Sequence, residues 1–118
     1  MKDIYLSVII PAYNEEKYIA NTIIDISRYL SKKDYSFEII VINDGSKDNT
    51  AEICRDLEST IYNVKFIDNK KNQGKGAVVK QGMFLATGKY RLYLDADNAV
   101  SINHLEKLMI NLVKIRQA

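Results

Sequence analysis

Short apolar runs rich in β-branched residues alternate along this chain with longer segments whose apolar positions recur every three or four residues. Tyr5-Leu6-Ser7-Val8-Ile9-Ile10 and Phe37-Glu38-Ile39-Ile40-Val41-Ile42 are of the first kind, as expected of strands buried on both faces of a parallel sheet. Val64-Lys65-Phe66-Ile67 and Tyr90-Arg91-Leu92-Tyr93-Leu94 predict two more. Ile19, Ile23, Ile26 and Leu30 fall on one helical stripe, with Asn14 as the expected cap and Glu15 and Glu16 favouring the positive helix end. Ala51, Cys54 and Leu57 mark a second helix, Val78, Phe84 and Leu85 a third, and Leu105, Leu108, Leu112 and Ile115 a fourth. The order β-α-β-α-β-α-β-α, with helices long enough for right-handed crossovers, predicts an α/β fold: an open Rossmann-like parallel sheet with helices on both faces. Ligands of such sheets bind beyond the carboxyl ends of the strands, so the loops there carry the functional information.

Composition narrows the picture. A chain of 118 residues with 47% apolar content forms one domain with an ordinary core. The net charge is +2, with no basic run longer than two residues, which argues against nucleic acid as the partner. The Lys32-Lys33 and Lys70-Lys71 pairs are expected to be solvated. A lone Cys54 excludes an internal disulfide and multi-cysteine metal motifs, and it fits a reducing compartment. The apolar runs are far shorter than the ~20 residues of a membrane span, so the expected location is cytoplasmic, or the cytoplasmic face of a membrane in a longer parent protein. His104, in the last predicted helix, reads as a surface residue, and Cys54 as a buried thiol rather than a nucleophile.

Four strand-end segments stand out. Pro11-Ala12-Tyr13-Asn14-Glu15-Glu16 follows the first strand, where Pro11 is expected to end strand pairing and Ala12 to let another group approach the backbone. Asn43-Asp44-Gly45-Ser46-Lys47-Asp48-Asn49-Thr50 follows the second. Here Asp44 either accepts from a nucleobase N–H or ribose hydroxyl or forms an Asx turn into Gly45, while Asp48 and Asn49 are expected to cap a helix. Asn72-Gln73-Gly74-Lys75-Gly76 leads into the third helix, either as a phosphate-binding turn with Lys75 as its point charge or as a flexible lead-in. Asp95-Ala96-Asp97 ends the fourth strand, where paired carboxylates either cap a helix or hold a hard cation such as Mg²⁺ or Mn²⁺. Facing one rim, the four would outline a nucleotide diphosphate site.

Taken together, Ser7 to Glu16, Val41 to Thr50, Asn72 to Ala77 and Asp95-Ala96-Asp97 resemble the nucleotide-binding half of family-2 glycosyltransferases of the GT-A fold. The resemblance implies that Pro11, Ala12, Tyr13 and Glu15 line the nucleoside pocket, with Tyr13 placed to stack on a base, and that Asp44 contacts that base. It further implies that Asp95 and Asp97 form the catalytic DXD-type element, with Asp97 the stronger metal ligand and Asp95 also facing the ribose or sugar. Gly74, Lys75, Gly76 and Ala77, with Leu105-Glu106-Lys107-Leu108, resemble most the dolichyl- or polyprenyl-phosphate hexosyltransferases, especially the glucosyl-transferring kind. Asn43 stands where many members carry a second Asp, and Asn98-Ala99-Val100-Ser101 leaves a third metal-side ligand unidentified.

The expected function is metal-assisted, inverting transfer of a hexose from a UDP-glucose- or GDP-mannose-type donor to a polyprenyl or dolichyl phosphate. The acceptor half and any general base are expected beyond this chain, with self-association through an open sheet edge. The alternative is a truncated module that binds nucleotide sugar without turnover. A metal-dependent phosphotransfer or signalling domain lacks its acidic pair after the first strand, where Pro11-Ala12 stand.

Overall fold

The computed structural model describes residues 3–97. Strands and helices alternate as β1 (Leu6–Ala12), α1 (Ile19–Ser31), β2 (Phe37–Asp44), α2 (Thr50–Thr60), β3 (Val64–Asn69), α3 (Lys75–Leu85) and β4 (Tyr90–Tyr93). The fourth helix expected from Leu105 to Ile115, and His104 with it, lies outside the described residues. All pairings are parallel and the strand order is β3-β2-β1-β4, so the sequence-derived fold class holds.

Alternation along the central strands divides the core between two faces. Leu6, Val8, Ile10, Ile39 and Val41 pack with Ile19, Ile23, Ile26 and Leu30 of α1 and with Cys54 and Leu57 of α2. The opposite face sets Ile9, Ile40 and Ile42 against Val78 and Ala86 at α3. Burial pushes the Cys54 thiol up to about 12, with the charges of Asp68 and Asp48 adding to the shift, so it is an inert core residue.

Three local expectations need correction. Pro11 does not end strand pairing: β1 continues in register, Pro11 opposite Ile42 and Ala12 opposite Asn43. The Ile9 carbonyl accepts from Leu94 N–H at 2.9 Å. Pro11, two residues on, turns the same way, where pairing with β4 has ceased, so its missing donor costs the sheet nothing. Asn14 does not cap α1, which starts at Ile19 after Tyr18; it sits at φ 53° and spends its side chain elsewhere. The third stripe is also different. Only Val78 and Gly82 of α3 are buried, while Phe84 is 86% exposed and Leu85 45%. A Cβ on Gly82 would come 2.4 Å from Ile9 Cγ2, so the bare glycine is what seats this helix against the sheet.

At the amino ends of the strands a buried polar network ties four segments together. Glu38, 2% exposed, accepts from Ser7 Oγ at 2.6 Å, Lys65 Nζ at 2.7 Å, Thr87 N–H at 2.9 Å and Thr87 Oγ1 at 3.0 Å. Ser7 Oγ in turn accepts from Gly88 N–H at 2.8 Å.

Candidate functional site

Three loops at the carboxyl end of the sheet are clasped to one another before any side chain faces solvent. Asn14 Oδ1 accepts from Lys47 N–H at 2.8 Å and Asn14 N–H donates to Ser46 Oγ at 2.9 Å. Glu15 N–H donates to Thr50 Oγ1 at 2.8 Å, and Glu16 Oε2 accepts from Asn49 N–H at 3.1 Å. Asp48 anchors the start of α2, its Oδ1 accepting from Thr50 N–H at 3.0 Å; Asn49 occupies the cap position without a side-chain cap bond. The β1–α1 turn is therefore shaped by partners more than 30 residues away, which is why Asn14 is drawn from the expected capping role.

The third loop is held by Asp44. Its Oδ1 accepts from Gln73 N–H at 2.7 Å and its Oδ2 from Gly74 N–H at 3.0 Å, while its carbonyl accepts from Asn72 Nδ2 at 3.1 Å. Gly45 follows at φ 72°, and a Cβ there would lie 2.5 Å from Asn72 N, so only glycine permits both the backbone turn and the loop contact. Beside it Asn43 donates from Nδ2 to Asp68 Oδ1 at 2.8 Å and accepts from Ser46 N–H at 3.1 Å. An aspartate at position 43 would bring a second negative charge against Asp68, so the amide suits this neighbourhood.

After β4 the chain buries Ala96 in the core, where its carbonyl accepts from Thr22 Oγ1 of α1 at 3.1 Å. Pinning the middle residue leaves Asp95 and Asp97 exposed on either side. The carboxyl rim thus encloses a cleft of about 390 Å³ lined by Pro11, Ala12, Tyr13, Glu15, Asp44, Asn72, Gly74, Lys75, Asp95, Ala96 and Asp97. Every candidate residue named from the sequence for nucleotide, metal or catalysis lines it. Asn72 and Ala96 were not singled out; Asn72 is recognisable only through its bond to the Asp44 carbonyl, and Ala96 through the small size of the residue between two acids.

The electrostatics of the cleft are lopsided. Lys75, the first residue of α3, pairs through Nζ with Asp95 Oδ1 and lies 5.7 Å from the centroid of the Tyr93 ring. The bond to Asp95 holds its ammonium above the usual lysine range, against the opposing effect of burial and with help from the charges of Asp95, Tyr93 and Asp97. Glu15 is pushed the other way from a stable anion: burial, then the charges of Asp97, Asp48 and Asp95, raise its carboxyl above the ordinary glutamate range. A cation would relieve that crowding. Asp95 and Asp97 present hard oxygen donors, which suit Mg²⁺ or Mn²⁺. No group of three or more His, Cys, Asp or Glu among the described residues could hold a metal by itself, so such an ion would complete its shell with water and a bound phosphate, the arrangement Mg²⁺ commonly takes.

Known proteins resemble this chain in sequence and in fold. The family model described as Glycosyl transferase family 2 matches residues 7–116. A dolichyl-phosphate beta-glucosyltransferase of Dictyostelium discoideum is 41% identical over 122 residues, covering 95% of this chain and 37% of that protein. The chain spans about a third of the length of the curated relatives it matches. Among solved structures, S. aureus TarS 1-349 superposes with a TM-score of 0.69 at 28% identity, over 94% of this chain and 33% of that one. Its complex with UDP-GlcNAc gives a TM-score of 0.64. Mannosyltransferase PcManGT from Pyrobaculum calidifontis, solved with GDP-Man and Mn²⁺, superposes with a TM-score of 0.68 at 25% identity, over 81% of this chain and 28% of that one.

Proposed function

The chain belongs to glycosyl transferase family 2, and on that premise we propose that it serves transfer of a hexose from a nucleotide diphosphate sugar to a polyprenyl or dolichyl phosphate, with inversion at the anomeric carbon. Glucose is the sugar we assign, because the dolichyl-phosphate glucosyltransferase is 41% identical to it. The observation that carries the proposal is the convergence in one cleft of an aromatic and small-residue end, Tyr13, Pro11 and Ala12, with a charged end, Lys75, Asp95 and Asp97.

In this reading the exposed Tyr13 ring stacks on the base. Asp44 keeps acceptor capacity for a base N–H, since a carboxylate offers about four lone-pair sites and two are given to amides. Lys75 lies toward the diphosphate, and Asp97 with Asp95 holds Mg²⁺ or Mn²⁺. When bound, that ion supplies Lewis-acid stabilisation of the charge that develops on the departing nucleotide diphosphate. Glu15 keeps its carboxyl against this acidic end and adds to the field that attracts the ion. A phosphate acceptor arrives already ionised, so its oxygen attacks without a strong general base. Such an acceptor sets the reaction at the cytoplasmic face of a membrane, where a soluble donor meets a lipid-bound phosphate.

A thermal-shift panel of UDP-glucose and GDP-mannose with and without Mn²⁺, followed by an assay for glucose transfer to polyprenyl phosphate, tests the proposal. UDP-glucose should stabilise the protein more than GDP-mannose, and only with the metal. Equal or absent stabilisation by both donors would overturn the donor assignment.

A further inference from the structure

We propose that Lys75 is an exchangeable counter-ion: it neutralises Asp95 while the cleft is empty and passes to the diphosphate when a nucleotide enters, releasing Asp95 to the cation at that moment. The inference rests on the cleft being a cation-dependent nucleotide diphosphate site.

Three observations carry it. First, Lys75 is the single basic side chain among the described residues that line the cleft, which also holds Glu15, Asp44, Asp95 and Asp97. Second, the backbone donors that a helix N-terminus would normally offer an anion are partly spent. Gly74 N–H at the cap of α3, and Gln73 N–H before it, both go to the Asp44 carboxylate, so the Lys75 ammonium supplies the full positive charge on this lip beside the amides left in the first turn. Third, the Lys75–Asp95 pair is open to water on both sides, with side chains 56% and 49% exposed. Exposed pairs of this kind hold weakly and break readily when either partner finds a better one.

The competition is chemical. An Asp95 oxygen that accepts from an ammonium cannot also bond a divalent ion without setting two cations side by side. A phosphate removes the ammonium and brings ligands for the same ion. Cation and nucleotide therefore bind with mutual help, and part of that coupling runs through one lysine. Tyr93, beneath the ammonium at 5.7 Å, gives it a resting place along the way.

Binding of Mn²⁺ alone, followed by the electron paramagnetic resonance signal of the free ion, tests this without any turnover. Lys75→Met should raise Mn²⁺ affinity in the absence of nucleotide by roughly fivefold, the size expected for release of one exposed pair, and should weaken UDP binding without metal. In the Asp95→Asn background the same substitution should change Mn²⁺ affinity by less than about twofold, because the competing pair is already gone. Lys75→Arg should restore the wild-type pattern. Equal gains in both backgrounds would overturn the exchange and leave only a long-range field effect; so would no gain at all. Asp97→Asn separates the two claims: loss of Mn²⁺ binding in that variant, together with no effect of Lys75→Met in the otherwise wild-type protein, rejects the exchange alone, whereas unchanged Mn²⁺ binding in Asp97→Asn rejects the site and the exchange together.

Discussion

Glu38 and Glu15 sit at opposite ends of the same sheet and carry the same carboxyl group, yet their surroundings move them in opposite directions. Burial alone would raise Glu38, but the bonds from Lys65, Ser7 and Thr87 overcome it and bring the carboxyl down to about 2. Glu15 suffers burial and three neighbouring acids, and it rises. The amino end of the sheet has supplied its buried acid with every partner it needs. At the carboxyl end, Asp44 has the Gln73 and Gly74 amides and Asp95 has Lys75, but Glu15 stands among acids that raise it. A satisfied charge holds a fold together; a crowded one waits for a ligand.

The largest effect should come from breaking the satisfied end. Glu38→Ala removes the shared acceptor of Lys65, Ser7 and Thr87; Lys65 and Thr87 can turn to water but the buried Ser7 hydroxyl cannot, so the loss is about 2–3 kcal/mol. Urea unfolding should show that loss, while UDP affinity of the folded molecules stays the same. The pH dependence has a definite sign. A carboxyl lowered from 4.5 to about 2 in the folded state gives stability that is fully present above pH 4.5 and is lost as pH falls toward 2. The span corresponds to on the order of 3 kcal/mol, and Glu38→Gln should flatten that acid limb.

The converse substitution acts at the crowded end. Asp97→Ala should weaken Mn²⁺-dependent UDP binding by at least about tenfold, as loss of a metal-holding group does, with the melting temperature unchanged because the side chain is exposed. A large fall in melting temperature would erase the distinction between the two ends. Tyr13→Ala should cost UDP binding roughly fivefold, about one base-stacking contact, again without loss of stability. Smallest of all, Glu15→Gln should raise the melting temperature slightly in the absence of ligand, since the raised carboxyl costs stability while ionised and that cost disappears as pH falls.

The same contrast explains what could be read from the sequence. The strands declared themselves through β-branched runs, and α1 through Ile19, Ile23, Ile26 and Leu30, because those positions answer to burial on a fixed period. The rim residues were legible because they follow strand ends, where the topology gathers them. Glu38 was not, since its role depends on Ser7 across β1, Lys65 across β3 and Thr87 before β4. A Glu inside an apolar strand was the available signal, and only the register identifies its partners. Asn14 looked like a cap for the same reason: cap signals are local, whereas its bonds reach Ser46 and Lys47. Phe84 and Leu85 misled because α3 docks through Gly82, a contact made by a missing side chain that no apolar stripe records.

Calorimetric titration of UDP into the wild-type protein, in Mn²⁺ and then in excess chelator, tests the central claim most directly. If the crowded carboxylates form a cation-dependent nucleotide diphosphate site, saturable one-to-one binding appears with Mn²⁺ and falls by tenfold or more without it, about 1.4 kcal/mol. Binding of equal strength in both, or none in either, would contradict it.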